Sequence, residues 1–145
     1  MSQASLEGGC FCGAVRYRIT GQPARVTNCH CTMCRRTSGA PFVSWAVVGK
    51  SSFAFTTGEP ARFASSEEGI RKFCPRCGTP LTCELASHPD VVDVTVCSMD
   101  TPEAVVPQDH IWTSSQLPWV GLADGLPRHR EGAMPPPHRH QRPDV

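Results

Sequence analysis

The sequence predicts an all-β domain built from short strands. Segments rich in β-branched and aromatic residues recur along the chain, and turns with glycine or proline separate them. No segment shows helical periodicity over a useful length. Short strands with frequent turns are typical of a sandwich-like arrangement of antiparallel sheets.

Two strands are predicted in the first third of the chain. In residues 14–20 the side chains of Val15, Tyr17 and Ile19 alternate with polar ones, which is the pattern of a half-buried strand. Residues 42–48 form an apolar run rich in β-formers, and such a run favours a central strand.

Residues 53–56 and 61–65 are the next two predicted strands. The first alternates phenylalanine with small residues, and a turn with glycine and proline at residues 58–60 separates it from the second. Two short strands joined by such a turn are predicted to pair as a hairpin.

Residues 33–38 are predicted to form one or two helical turns. Thr32 is a suitable N-cap and Gly39 a suitable C-terminal stop. Two further strands are predicted at residues 81–85 and 91–97, on either side of a polar turn.

Residues 1–123 are predicted to form one domain, because a chain of 145 residues allows a single modest core. Over residues 124–145 the composition changes to proline, arginine, histidine and glycine, with almost nothing to bury. This tail is predicted to be disordered.

Charge and hydropathy predict a cytoplasmic protein. The formal net charge of +1 gives no reason to expect nucleic acid or an anionic membrane as a partner. Residues 1–7 are polar with no apolar run behind them, so no signal peptide is expected, and no segment is apolar enough to span a bilayer. The oligomeric state leaves no signal in the sequence.

The nine cysteines favour metal binding over disulfides. An odd count without an export signal does not suit a disulfide framework. Most of the cysteines stand in Cys-x-Cys and Cys-x-x-Cys pairs, a spacing that zinc sites use routinely. Cys83 and Cys97 stand apart and are predicted to be small buried side chains, with a cross-strand pairing as the alternative.

The remaining seven cysteines divide naturally into a closed site of four and an open site of three. The closed site combines an N-terminal pair with a zinc-knuckle pair: Cys10, Cys12, Cys74 and Cys77. The open site contains the cysteines between them: Cys29, Cys31 and Cys34. An open coordination position is typical of catalytic zinc. Spacing alone allows other partitions, such as the N-terminal pair with two of the middle three.

Four motifs in order resemble one known family. They are Gly-Cys-Phe-Cys-Gly at residues 9–13, the segment from Cys-His-Cys to Ala-Pro-Phe at 29–42, Phe-Cys-Pro-Arg-Cys-Gly-Thr-Pro-Leu at 73–81, and His-Ile-Trp with Pro-Trp within 107–119. Together, from about residue 8 to residue 121, they resemble the glutathione-dependent formaldehyde-activating enzyme family, which also includes centromere protein V.

This resemblance implies a β-tent, a fold of short antiparallel sheets around a structural zinc. It implies two zinc ions per chain. One is structural, on Cys10, Cys12, Cys74 and Cys77, and the other is catalytic and loosely held, on Cys29, Cys31 and Cys34. The implied activity is that of a carbon–sulfur lyase of the S-(hydroxymethyl)glutathione synthase type. Its partners would be a small-molecule thiol such as glutathione and an aldehyde such as formaldehyde.

Basic side chains near these motifs are further candidates. Arg35 and Arg36 follow the last ligand of the open site, so they either bind substrate carboxylates or lie solvated at the surface. His110 of the closing motif is a candidate base, or a residue that closes the sheet. His30 lies between two ligands and is a candidate fourth ligand or proton carrier, or a packed side chain.

Two alternatives to the enzyme stay open. One is a noncatalytic zinc module for protein interaction, although the near-neutral domain offers no basic patch. The other is a redox role for Cys29, Cys31 and Cys34 without a second zinc, since thiolates near arginines are reactive.

Overall fold

The computed structural model describes residues 4–132 and confirms the all-β prediction. In this part of the chain ten strands form two sheets, and one α-helix, α1, spans Thr32–Ser38. The smaller sheet has three antiparallel strands in the order β1 (Ser5–Gly9), β2 (Arg16–Thr20) and β5 (Phe53–Thr57). The larger sheet has seven strands in the order β10 (Asp109–Ile111), β3 (Arg25–Cys29), β4 (Val43–Gly49), β9 (Val91–Thr95), β8 (Pro80–Leu85), β7 (Gly69–Phe73) and β6 (Ala61–Ala64). β10 and β3 are parallel, and the other neighbours are antiparallel.

The main hydrophobic core lies between the two sheets. β2 contributes Tyr17 and Ile19, which are 1% and 0% exposed, on the face that the sequence alternation predicted. The larger sheet contributes buried valines of β4 and β9, among them Val48 and Val94. Burial of these side chains is what holds the smaller sheet against the larger one.

A second hydrophobic cluster lies on the opposite face of the larger sheet. Trp45 belongs to this cluster whereas Ala46 belongs to the main core, because successive residues of β4 face opposite sides. α1 packs here through Met33 and Cys34.

Within the described residues, no helix has both the length and the apolar character that crossing a membrane requires.

The predicted hairpin of residues 53–56 and 61–65 is wrong. β5 pairs with β2 and β6 pairs with β7, so the two strands belong to different sheets. The Phe53 ring lies 5.4 Å from the ring of Tyr17, and Phe53 packs against the main core. β5 therefore pairs with the strand that lets it bury this aromatic surface, and not with β6, to which the short turn connects it.

Residues 124–132, the first part of the predicted tail, lie against the β10 edge of the larger sheet. The backbone N–H of His110 donates to the carbonyl of Pro127 (2.9 Å), and its carbonyl accepts from the N–H of His129 (2.8 Å). Backbone pairing with a sheet edge needs no apolar side chains, so composition did not reveal it. The predicted start of the tail is therefore too early. Residues 133–145 lie outside the described residues.

Candidate metal centres

Within residues 4–132, two groups of cysteines are close enough to hold a metal ion each. In each group the Sγ atoms all lie within 4.8 Å of one another. The four-cysteine group consists of Cys10, Cys12, Cys74 and Cys77. The three-cysteine group consists of Cys29, Cys31 and Cys34. The structure thus brings together the sulfurs of each predicted site, and the first pair does not join the middle three.

The four-cysteine group connects the two sheets. Cys10 and Cys12 lie between β1 and β2, whereas Cys74 and Cys77 lie between β7 and β8. The Sγ atom of Cys12 lies 3.6 Å from that of Cys10 and 3.7 Å from that of Cys74. Sulfurs about 2.3 Å from a tetrahedral zinc ion lie about 3.8 Å apart, so these distances fit zinc.

Backbone N–H groups support the sulfurs of the four-cysteine group. The N–H of Val15 donates to Cys10 Sγ at 3.2 Å, and two N–H groups donate to Cys74 Sγ, both at 3.4 Å. Gly13 and Gly78 close the two turns with φ of 81° and 82°, a conformation that glycine adopts without strain. Both turns are therefore shaped to aim N–H donors at anionic sulfur.

Thr79 links the two turns. Its hydroxyl oxygen accepts from the N–H of Phe11 at 3.1 Å and lies 3.2 Å from the Sγ atom of Cys77. Hydrogen bonds from Thr79 are the main cause that lowers the pKa of the Cys77 thiol to about 5. A sulfur that is anionic at neutral pH is ready to bind a metal ion.

The three-cysteine group lies where β3 meets α1. Cys29 ends β3, Cys31 is the N-cap of α1, and Cys34 lies in the first turn, all of them 0% exposed. The Sγ atom of Cys31 accepts from the N–H of Cys34 at 3.3 Å. A sulfur therefore caps the helix in place of the predicted hydroxyl of Thr32, and this contact fixes two of the three sulfurs relative to each other.

The electrostatics of this group favour a bound cation. Burial, assisted by the neighbouring cysteines, raises the pKa of the Cys29 thiol well above its usual range. Burial raises the pKa of Cys31 as well. Ionising these thiols together needs compensating positive charge, which a divalent metal ion provides. The donor set fits zinc with one coordination position left over.

Two buried donors meet at the sulfur of Cys34. The indole Nε1–H of Trp45, on β4, donates to Cys34 Sγ at 3.4 Å. The Nη2 group of Arg71, on β7, donates to the same sulfur at 3.8 Å. Trp45 is 3% exposed and Arg71 is 8% exposed. Neither residue belongs to a motif that marks it in the sequence.

Further contacts fix the guanidinium of Arg71. Its Nε atom donates to the hydroxyl of Ser65 at 3.2 Å, and its Nη1 atom donates to the hydroxyl of Thr37 at 3.3 Å. Its Cζ atom lies 5.9 Å from the centroid of the Trp45 ring. The charge is therefore held in one orientation beside the cysteines.

Arg35 and Arg36 differ in their surroundings. Arg35 is half-buried, and its Nε atom is buried without a hydrogen-bond partner among the described residues. Arg36 is exposed on α1. A buried donor without a partner suits the recognition of an acceptor group on a ligand. Of the two arginines, Arg35 therefore has the setting expected for binding a carboxylate, and that role stays a prediction.

His30 and His110 form a buried pair that continues to Asp124. His30 Nε2 lies 2.9 Å from His110 Nδ1, and His110 Nε2 lies 2.7 Å from a carboxylate oxygen of Asp124. Although His30 lies between Cys29 and Cys31 in the chain, its ring packs against the rings of Phe42 and His110, with centroids 4.9 Å and 5.1 Å away. Both ring nitrogens of His110 are engaged in this chain of contacts, so its predicted role as a base at the zinc stays a prediction.

Burial sets the protonation state of His30. Burial, with the charge of His110 next, lowers the pKa of His30 to about 4, so His30 is neutral at neutral pH. In the contact between His30 Nε2 and His110 Nδ1, one ring nitrogen donates and the other accepts. The Nδ1 atom of His30 is buried and has no hydrogen-bond partner among residues 4–132.

Cys83 and Cys97 do not share one environment. Cys83 in β8 is 2% exposed, and burial raises its pKa to about 12. Cys97 is exposed in a 3-10 turn that follows β9. The prediction of a buried side chain is confirmed for Cys83 and wrong for Cys97, because the strand ends at Thr95. The cross-strand partner of Cys83 in β9 is Asp93.

Comparisons with known proteins point to one family. A sequence model described as glutathione-dependent formaldehyde-activating enzyme matches residues 5–115. A Halomonas elongata protein, provisionally named as a glutathione-dependent formaldehyde-activating enzyme, is 28% identical over 130 residues, which are 81% of this chain and 80% of that protein. An uncharacterized lyase of Schizosaccharomyces pombe is 32% identical over 75 residues, which are 52% of this chain and 54% of the lyase.

The fold also resembles that of a solved structure. A crystal structure of a Rhodobacter sphaeroides protein superposes with a TM-score of 0.52 at 23% identity. The match covers 85% of this chain and 98% of the other. At this identity the likeness concerns the fold.

Proposed function

The chain belongs to the glutathione-dependent formaldehyde-activating enzyme family, and on this basis we propose that it is a carbon–sulfur lyase that acts at the three-cysteine group. In the forward reaction the sulfur of a thiol bonds to the carbonyl carbon of an aldehyde, and the thiol proton ends on the carbonyl oxygen. The reverse reaction cleaves the same bond. The proposed substrates are a glutathione-like thiol and formaldehyde or a small relative of it.

The observation that carries this proposal is the incomplete donor set. Three fully buried sulfurs lie within 4.8 Å of one another, and no fourth cysteine belongs to their group among the described residues. In this proposal the four-cysteine group holds a structural zinc ion and the three-cysteine group holds a second, catalytic one. When bound, that second ion would polarise a carbonyl oxygen and lower the pKa of a substrate thiol.

The protein side chains have separate tasks in this scheme. Arg71 and Trp45 donate to Cys34 Sγ and so stabilise its negative charge. The buried Nε–H of Arg35 is available to a substrate carboxylate. Burial of the cysteines keeps bulk water from the reacting atoms, which strengthens each of these electrostatic contacts.

Zinc content and turnover together test the proposal. Wild type should bind two zinc ions per chain and show glutathione-dependent loss of formaldehyde. Cys31→Ala should retain one zinc ion and lose turnover. Cys97→Ala is the matched control, because it removes an exposed thiol outside both groups and should retain both ions and turnover. A wild type that binds a single zinc ion, and keeps that ion in Cys31→Ala, would overturn the two-site proposal.

The alternatives predict different results. A noncatalytic module would bind two zinc ions and turn over no combination of thiol and aldehyde. A redox role would leave the wild type with one zinc ion and with thiols at Cys29, Cys31 and Cys34 that oxidise reversibly. The cytoplasmic location stays a prediction.

A further inference from the structure

Arg71 is a buried cation without a carboxylate partner. It is 8% exposed, and within residues 4–132 the ion pairs closer than 4 Å all involve other cations. Asp93 lies on the same face of the sheet but two strands away, in register through Cys83. A buried guanidinium is costly unless an anion compensates it. The anion in hydrogen-bond contact with Arg71 is the sulfur of Cys34.

We propose that Arg71 is a positioning residue for the three-cysteine metal site, and that with Trp45 it withdraws charge from the sulfur of Cys34. The proposal rests on the proposed function, because it requires a metal ion at this group. It goes beyond that function because it assigns the positive charge that balances the metal-loaded site to one residue, Arg71 on β7.

The charge of the site is the first argument. Three thiolates and one divalent ion carry a net charge of about −1 in a buried environment. One guanidinium brings this total to neutrality without adding a ligand. Contacts with Ser65, Thr37 and the Trp45 ring hold the guanidinium of Arg71 in place, so it cannot turn outward to pair with an anion in solvent.

The choice of sulfur is the second argument. Trp45 and Arg71 both donate to Cys34 Sγ, at 3.4 Å and 3.8 Å. Donors to a ligating sulfur lower its electron donation to the metal. Cys34 is therefore expected to donate less to the metal than it would without these contacts, which would leave the metal a stronger Lewis acid toward a substrate.

The test compares Arg71→Met, Arg71→Lys and Trp45→Phe with wild type in metal-binding experiments. In Arg71→Met the affinity of the three-cysteine group for zinc, measured by competition with a chelator, should fall by about 10- to 100-fold. With cobalt(II) in place of zinc, the sulfur-to-metal charge-transfer band should move to longer wavelength, because electrons on Cys34 lose a stabilising charge. Arg71→Lys and Trp45→Phe should move the band in the same direction by less.

Controls separate this role from a structural one. Arg62→Met removes an exposed arginine on the neighbouring strand β6 and should change neither the band nor either zinc affinity. The zinc ion of the four-cysteine group is an internal control, since a general loosening of the fold would weaken both sites. If Arg71→Met does not fold, Trp45→Phe and Arg71→Lys still report on Cys34 through the band.

The outcomes are distinct. A wild type with a single zinc ion would overturn the proposed function, and this inference with it, before any variant of Arg71 is made. Two zinc ions in the wild type, with an unchanged band and unchanged affinity in the variants, would overturn this inference alone. Equal weakening of both sites without a band shift would also overturn it, in favour of a structural role for Arg71.

Discussion

Asp93 is a carboxyl group buried in the larger sheet. It is 7% exposed, and burial, with the nearby Cys34 next, raises its pKa from 3.8 to about 7. At a pH between these two pKa values, Asp93 is protonated in the folded chain and ionised in the unfolded chain. The contribution of Asp93 to stability is therefore present at low pH and is lost as the pH rises from about 4 to about 7.

Asp93→Asn should remove this pH dependence. As the pH rises, the variant should gain stability relative to wild type by up to about 1.4 kcal/mol per pH unit below pH 7, and no more above it. Chemical denaturation of the zinc-loaded protein from about pH 5 to about pH 8 measures the difference. Asp90→Asn, on an exposed residue before β9, is the matched control for the substitution itself. A constant difference for Asp93→Asn would contradict the prediction.

Gly78 allows a second prediction at the scale of one residue. Its φ is 82°, and an added Cβ atom would meet nothing within 4 Å. The cost of Gly78→Ala is therefore backbone strain alone, about 1–2 kcal/mol, with both zinc ions retained. Gly121→Ala is matched, because its Cβ atom would also be in open space and its φ is not in the left-handed region. Equal melting temperatures for the two variants would count against this account.

The two cysteine groups could be predicted from the sequence, whereas the residues that contact them from other strands could not. Cys-x-Cys and Cys-x-x-Cys spacings bring cysteines together locally, but spacing left the partition into two groups open, and the family resemblance implied it. Trp45 and Arg71 reach Cys34 only because of where β4 and β7 lie in the sheet. Arg71 stands next to Lys72 in a segment that reads as polar, and nothing local indicates that its side chain is buried.

At the scale of elements, strands with a clear apolar pattern were predictable. β2, β4, β8 and β9 follow the alternation or apolar runs of the sequence. β1, β3, β7 and β10 were not predicted, because glycine or charged residues interrupt any apolar alternation in them. Their stability comes from pairing with neighbouring strands and, at β3 and β7, from ligand turns at their ends.

The segment of residues 124–132 provides a prediction at this scale. It pairs with β10 through backbone hydrogen bonds, and Asp124 accepts from the buried ring of His110. A chain that ends at residue 123 should lose about 2–5 kcal/mol of stability relative to one that ends at residue 132, because these bonds are lost and the edge of β10 is uncovered. Thermal unfolding measures the difference.

Asp124→Asn in the longer chain isolates the side chain from the backbone pairing. This variant keeps an oxygen that can accept from His110 but loses the negative charge. It should therefore be more stable than the chain that ends at residue 123 and less stable than the unsubstituted chain that ends at residue 132. If the chain that ends at residue 123 has the same melting temperature as the longer one, residues 124–132 are dispensable for the fold.

The four-cysteine group brings together the two sheets, which otherwise meet through the main core, and a zinc ion bound there would link them. One pair of ligands lies between β1 and β2 of the smaller sheet, and the other lies between β7 and β8 of the larger one. The three-cysteine group differs, because its ligands come from β3 and α1, which are neighbours in the chain. Loss of a metal ion from the first group removes a long-range constraint, whereas loss from the second removes a local one.

Stepwise removal of zinc should therefore have two separate effects. A weak chelator should take the ion of the three-cysteine group first, with loss of turnover and little change in far-ultraviolet circular dichroism. A strong chelator should then take the second ion, and the chain should lose its cooperative thermal transition, because the ligand turns of both sheets are released together. Cys74→Ala should resemble the fully chelated protein, and Cys31→Ala should resemble the first stage. If Cys74→Ala still unfolds cooperatively at the wild-type temperature, the four-cysteine group does not hold the sheets together.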